Sequence, residues 1–187
     1  MDRYWFFTWR TYGTWLPGEE GFVGYYFTPD GRRVIDNAPG ESPSEAIASL
    51  ERFARENMKG EPVFLTHVQA EALFAQFNET ASYRGWVLDA VAVVSNHVHL
   101  VFGVPNDPDP SEILKSWKSY ASRSLNRLGP KPNAPRWFAD GGSKQPLREE
   151  EDRIGAIRYV RDQNRPLLVW LSVEAIQLVD DFGEPAT

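Results

Sequence analysis

Residues 87–104 read Val-Leu-Asp-Ala-Val-Ala-Val-Val-Ser-Asn-His-Val-His-Leu-Val-Phe-Gly-Val, and they carry the clearest structural signal in the chain. Its first eight residues are a nearly continuous apolar run of strand length that begins after Gly85. Ser95 and Asn96 suit a two-residue turn, and a second apolar strand follows until the Asn-Asp-Pro-Asp-Pro segment at residues 106–110. The stretch therefore predicts an antiparallel β-hairpin.

Two of the three histidines of the chain, His97 and His99, lie at the start of the second strand. Alternate residues of a strand share a face, so the two imidazoles stand side by side, about 6–7 Å apart along the chain. Such a pair could bind one divalent ion, or it could be a half-buried pair that is hydrogen-bonded to backbone or water. The third histidine, His67, falls in the first turn of a predicted helix, where we expect a solvated side chain.

The rest of the pattern predicts one α+β domain over residues 1–187. A strand is expected over residues 4–11 and helices over about 42–58, 66–83, 111–128 and 149–164. We expect a ferredoxin-like antiparallel sheet with helices packed on one face. An insertion at about 18–62, with a short hairpin near residues 29–31, and a docked C-terminal extension at about 166–187 complete the expected domain.

The composition of the chain excludes several classes of protein. The chain has no cysteine, which excludes disulfides and thiolate chemistry. It lacks a long apolar run, and Met1-Asp2-Arg3 does not resemble the start of a signal peptide, so we expect a cytoplasmic protein without a membrane partner. The net charge is −6, which by itself argues against a nucleic-acid partner.

The charge is unevenly distributed. Residues 113–136 contain six basic side chains and no acidic one, so the remainder carries −12. Such a local strip suits phosphate binding: Lys115, Lys118, Arg123, Arg127, Lys131 and Arg136. On a helical wheel, Tyr120 lies at the margin of the apolar stripe, next to Arg123 and Arg127. The tyrosine could be a helix-edge residue with a wet hydroxyl, or a nucleophile that works with the histidine pair.

Four segments resemble a known family. They are residues 7–16 (Phe-Thr-Trp-Arg-Thr-Tyr-Gly-Thr-Trp-Leu), 96–101 (Asn-His-Val-His-Leu-Val), 117–123 (Trp-Lys-Ser-Tyr-Ala-Ser-Arg) and 159–163 (Tyr-Val-Arg-Asp-Gln). In this order they resemble the single-tyrosine HUH transposases of bacterial insertion sequences, particularly the REP-associated tyrosine transposases.

The resemblance implies an HUH nuclease fold that cleaves and rejoins single-stranded or hairpin DNA through a 5′-phosphotyrosine. It implies Mg²⁺ or Mn²⁺ on His97 and His99, Tyr120 as the nucleophile and no nucleotide cofactor. The protein would be nucleoid-associated when bound to DNA, and it could act as a homodimer. The family commonly has a third ligand, Gln or Asn, one turn after the tyrosine; Ser124 occupies that position. Another group, water, or a carboxamide such as Gln163 or Asn164 would then complete the metal shell.

Two other hypotheses stay open at this point. The chain could be a domesticated DNA-binding protein that keeps the fold and cuts nothing, which the weak ligand Ser124 favours. It could also be a ferredoxin-like RNA-binding or metal-hydrolase domain in which Tyr120 is structural. Metal-dependent covalent capture of a single strand separates the strand-transferase from both alternatives, and a preference for hairpin DNA over matched RNA separates the second hypothesis from the third.

Overall fold

The computed structural model describes residues 3–20, 22, 24–27, 31–36, 45–130 and 132–182. Within these ranges the chain forms strands and helices in the following order: β1 (Arg3–Arg10), β2 (Gly24–Phe27), β3 (Arg33–Asp36), α1 (Ala48–Glu56), α2 (His67–Arg84), β4 (Val87–Val94), β5 (His97–Val104), α3 (Pro110–Leu128), β6 (Ser143–Leu147), α4 (Glu150–Arg161), β7 (Leu168–Leu171) and α5 (Val173–Asp181).

Five strands form one antiparallel sheet in the order β6-β1-β5-β4-β7. The predicted hairpin is confirmed: β4 and β5 pair from Val94 opposite His97 onwards, with Ser95 and Asn96 as the turn. Strands β2 and β3 form a separate antiparallel ribbon inside the predicted insertion. The tip of that ribbon, and the predicted start of the first helix near residue 42, lie outside the described residues.

Helix α2 shows how local sequence sets the boundaries of an element. The Thr66 hydroxyl accepts the backbone N–H of Gln69, and the Gln69 side chain accepts the backbone N–H of Thr66, so two of the backbone donors that a helix start leaves unpaired are satisfied. The helix ends at Gly85, which has a φ of 65°. Glycine adopts this left-handed conformation without steric cost.

The sheet is covered by helices on both faces, and the prediction of one covered face is wrong. Helices α2 and α3 pack on one face, against alternate residues such as Phe7, Leu100 and Phe102. Helices α4 and α5 pack on the other face, against Val101, Ala90 and Ala92. The reason is that the central strands are apolar at nearly every position, so both of their faces need a partner. The predicted α+β class with an antiparallel sheet is confirmed.

The C-terminal part of the chain belongs to this architecture. Strand β7 pairs with β4 at the edge of the sheet, and α5 packs with α4. The last residues of the predicted extension, 183–187, lie outside the described residues. Among the described residues, no helix is both long and apolar enough to span a bilayer.

Candidate active site

The two histidines of β5 lie on the face of the sheet that α4 covers. Val98 and Leu100 belong to the core beneath α2 and α3, so the alternate residues His97 and His99 project from the opposite face. The centroids of the two imidazoles are 4.6 Å apart. His99 is buried, with 3% of its surface exposed, and its ring stacks on Phe6 of β1. The predicted pairing of the imidazoles on one face is therefore present.

One ring nitrogen of each histidine is held by a neighbour. The Thr8 hydroxyl lies 2.7 Å from Nδ1 of His99, and Nδ1 of His97 donates to the Asn96 carboxamide oxygen at 2.6 Å. Because a neutral imidazole that donates through Nδ1 carries its lone pair on Nε2, Nε2 is the nitrogen left for a ligand. Nε2 of His99 is buried and has no hydrogen-bond partner among the described residues. An orphaned buried nitrogen of this kind fits a metal ligand.

The electrostatic environment keeps both imidazoles neutral. Burial and the neighbouring His97 lower the pKa of His99 to about 3, against an opposing effect of the Gln163 side chain. Burial and the nearby Arg10 charge lower the pKa of His97, again opposed by Gln163. Metal ligation requires neutral imidazole, so the site is in the state that a cation would bind near pH 7.

Helix α4 brings a tyrosine to the histidines. The ring of Tyr159 meets the ring of His99 edge to face, with centroids 5.3 Å apart, and it packs similarly on Phe6 at 5.6 Å. The residue is 55% exposed. A phenol that is fixed on one side by aromatic packing and open to solvent on the other is available to a large substrate.

Gln163 lies one helical turn after Tyr159, immediately beyond the end of α4. Its Nε2 donates to the Tyr159 carbonyl oxygen at 2.9 Å, which anchors the side chain, and the same side chain interacts with both imidazoles. The Gln163 carboxamide is thus a group beside both imidazoles that could serve as a third ligand. Among the described residues, no group of three or more His, Cys, Asp and Glu side chains is arranged so that it could hold a metal ion.

Tyr120 does not lie with the histidines, and the prediction that it does is wrong. It belongs to α3, which packs on the opposite face of the sheet through residues such as Trp117. The central sheet therefore separates Tyr120 from His97 and His99. Its ring lies beneath the guanidinium of Arg123, 5.3 Å from the ring centroid, which fits the helix-edge reading of the sequence.

Ser124 is also excluded as a metal ligand. It is buried between α3 and α2, where its hydroxyl donates to the Ala72 carbonyl oxygen at 3.2 Å. The sequence also places Tyr159 and Gln163 one helical turn apart, the spacing that the family resemblance implies for a tyrosine and a carboxamide ligand. Assigning this pair to the histidines requires knowing that α4 covers their face.

The predicted DNA-binding residues are dispersed over α3 and the segment that follows it. Lys115 pairs with Glu112, Arg136 with Asp140, and Arg127 donates to the Gln76 carboxamide oxygen at 2.7 Å. Lys131 lies outside the described residues. The predicted strip is therefore a set of basic side chains of which several are already engaged within the fold.

Three of the predicted cations meet at one cleft. A cavity of about 500 Å³ between α3 and residues 136–144 is lined by Lys115, Lys118, Arg136 and also Lys144, which the sequence analysis missed. Lys118 donates to the carbonyl oxygens of Ala139 and, at 2.9 Å, Gly141, and burial lowers its pKa to about 8. Lys144 lies on β6, outside the basic strip in the sequence, so only the folded chain brings it to this cleft.

These observations define the class of the protein. It is an α+β protein whose central sheet carries paired imidazoles, a carboxamide and an exposed phenol on one face. Residues 58–140 match the family model described as "Transposase IS200 like", which confirms the resemblance to transposases. The matched segment includes the histidine pair and ends before α4. No curated protein matches the chain significantly.

Solved structures also match the chain. One is described as "Structure of the REP associates tyrosine transposase bound to a REP hairpin". The two chains are 12% identical, with a TM-score of 0.48 over 84% of this chain and 64% of the other. This chain thus spans less than two thirds of the length of that transposase.

Proposed function

We propose that this chain cleaves and rejoins single-stranded DNA, with Tyr159 as the nucleophile and His97, His99 and Gln163 as ligands of a divalent ion. The observation that carries the proposal is the buried, unpartnered Nε2 of His99 beside the exposed Tyr159 phenol. The corrected residue set replaces Tyr120 and Ser124 of the sequence analysis.

The covalent step is a transesterification. The Tyr159 oxygen loses its proton and forms a bond to phosphorus, the bond from phosphorus to O3′ breaks, and the departing oxygen takes up a proton. The products are a 5′-phosphotyrosine and a free 3′-hydroxyl. The link keeps the energy of the phosphodiester, so attack by a 3′-hydroxyl reverses the step without a nucleotide cofactor.

The residues around the tyrosine would hold the site in place. Thr8 and Asn96 fix the imidazoles through Nδ1, and Phe6 packs against both His99 and Tyr159. A bound Mg²⁺ or Mn²⁺ would supply Lewis acidity toward the scissile phosphate, and imidazole ligands favour Mn²⁺. An ordered ligand shell and a packed phenol limit the reorganisation needed before attack.

The test is covalent capture. Purified protein is incubated with labelled single-stranded hairpin oligonucleotides and Mn²⁺ or Mg²⁺, then resolved on a denaturing gel. We expect a protein–DNA adduct that EDTA abolishes, that Tyr159→Phe loses and that the matched variant Tyr120→Phe retains. Loss of the adduct in Tyr120→Phe with retention in Tyr159→Phe would refute the assignment.

The structure also bears on the two other hypotheses, the silent DNA-binding protein and the hydrolase or RNA-binding domain. The silent DNA-binding protein rested on Ser124 as a weak ligand, and Gln163 now offers a stronger donor beside both imidazoles. A hydrolase or RNA-binding domain predicts no DNA adduct, so the same gel separates it from the proposal.

The expectation of a homodimer stays a prediction, which light scattering with and without hairpin DNA would check.

A further inference from the structure

Arg10, at the end of β1, lies beside the candidate nucleophile. It pairs with His97 across the β1–β5 ladder, two residues after Thr8, which contacts His99. Because residues 8 and 10 share a face, the Arg10 side chain emerges on the side of the sheet that α4 covers. It interacts electrostatically with both His97 and Tyr159.

The Arg10 guanidinium is held in place but not neutralised by a direct partner. It stacks on the ring of Trp15, 3.6 Å from the ring centroid, and the side chain is half-buried. No hydrogen bond or ion pair to it occurs in the part of the chain that the structure describes, and Glu19 acts on it only through its charge. A half-buried guanidinium whose five N–H donors lack a hydrogen-bond partner is costly, and an anion bound to these donors would remove that cost.

We infer that Arg10 binds the non-bridging oxygens of the scissile phosphate, an inference that rests on the proposed function. A planar guanidinium matches two oxygens of a phosphodiester at once, and Trp15 fixes the plane of the fork before the substrate arrives. During attack by Tyr159, negative charge grows on those oxygens. A preorganised donor at that place stabilises the transition state more than the bound substrate.

The test compares a charged with an uncharged scissile phosphate. Single-turnover adduct formation is measured at saturating hairpin DNA for the wild type, Arg10→Gln and Arg10→Lys, with either a phosphodiester or a methylphosphonate at the cleaved position. On the phosphodiester we expect Arg10→Gln to be roughly 100-fold slower or more. The variant Arg10→Lys keeps the positive charge but loses the planar pair of N–H donors, so its rate should lie between those of the wild type and Arg10→Gln. On the methylphosphonate, the rate of the wild type should exceed that of Arg10→Gln by only about 3-fold or less, because this substrate lacks the negative charge that Arg10 would bind.

Controls separate this role from a structural one. Arg84→Gln removes another arginine that lies near a tryptophan: Arg84, the last residue of α2, lies over the ring of Trp86, and the variant should leave the rate unchanged. Thermal unfolding and Mn²⁺ binding should be similar in wild type and Arg10→Lys. An equal loss in Arg10→Gln on both substrates, or no loss on either, would overturn the role of Arg10 while the adduct itself upheld the proposed function. Absence of any adduct in the wild type would overturn both.

Discussion

The orientation of the two imidazoles depends on the hydrogen bond that Nδ1 of each ring makes. Thr8 occupies Nδ1 of His99, so Nε2, which has no hydrogen-bond partner among the described residues, is the nitrogen that a cation could reach. Such partners behind a ligand contribute strongly to metal affinity, since they set the tautomer and the ring orientation. The bond joins neighbouring strands, β1 and β5, so the ligand geometry follows from the sheet register.

We therefore expect Thr8→Val to weaken Mn²⁺ binding by about 10–100-fold while costing about 1 kcal/mol of unfolding free energy. Electron paramagnetic resonance of free Mn²⁺ gives the affinity, and urea denaturation gives the stability. Thr80→Val, which removes the hydroxyl of a buried threonine on α2, is the matched control and should leave Mn²⁺ affinity unchanged. Equal Mn²⁺ affinity in wild type and Thr8→Val would show that the His99–Thr8 bond has no part in ligation.

The third ligand is a second prediction at the residue scale. Gln163→Ala should lower Mn²⁺ affinity because it removes the only carboxamide that interacts with both imidazoles in the described part of the chain. Ser124→Ala should not, since that hydroxyl bonds to Ala72 on the far side of the sheet. Isothermal titration of the two variants decides the matter: a loss in Ser124→Ala alone would reverse the assignment.

Among the helices and strands, α4 supplies the tyrosine that lies beside the histidine pair. A buried ion pair joins α4 to the sheet. Arg153 of α4 donates two hydrogen bonds, of 2.7 and 2.8 Å, to Asp89, which is fully buried at a bulge of β4. The guanidinium also covers the ring of Tyr4. Burial raises the pKa of Asp89, whereas Arg153 opposes that rise.

Breaking this pair should destabilise the fold. We expect Arg153→Met to lower the unfolding free energy by about 3 kcal/mol at pH 7, because it leaves a buried carboxylate without its cation. With the cation gone, the folded-state pKa of Asp89 rises further above the unfolded value, so the variant should regain stability as the pH falls through that pKa. Urea denaturation at several pH values measures this, and a pH-independent loss would contradict it. Arg161→Met, which affects a more exposed ion pair with Asp162, should cost much less.

The sequence predicted the elements better than their arrangement. Periodicity and caps located α2, α3 and the β4–β5 hairpin, because those signals are local. The helical wheel of α3 gives the position of Tyr120 around its own helix but not the face of the sheet on which that helix packs, so it cannot test the role that the family resemblance implies for this residue. The apolar run at 87–94, buried on both sides, already indicated two covered faces. Which helix covers which face depends on long-range packing that no local pattern encodes.

For the molecule as a whole, the net charge of −6 has to be reconciled with the DNA substrate that we propose. The cleft between α3 and residues 136–144 concentrates Lys115, Lys118, Arg136 and Lys144 beside a single aspartate, Asp140. Phosphate binding depends on such local charge, because salt screens interactions beyond about 10 Å. The cleft lies along β6, the edge strand next to β1, and β1 carries Arg10 on the opposite face. A strand of DNA that wraps around this edge could contact both faces.

We therefore expect Lys144→Gln to weaken hairpin binding and to reduce the slope of log affinity against log salt by about one. Lys115→Gln should do the same, whereas Lys118→Gln should also cost stability, because its ammonium group joins α3 to the Ala139 and Gly141 carbonyl oxygens. Fluorescence anisotropy of a labelled hairpin at several salt concentrations gives the slopes. Arg52→Gln on α1 removes one exposed cation outside the cleft and serves as the matched control. An unchanged slope in Lys144→Gln, or an equal change in Arg52→Gln, would show that DNA does not occupy the cleft.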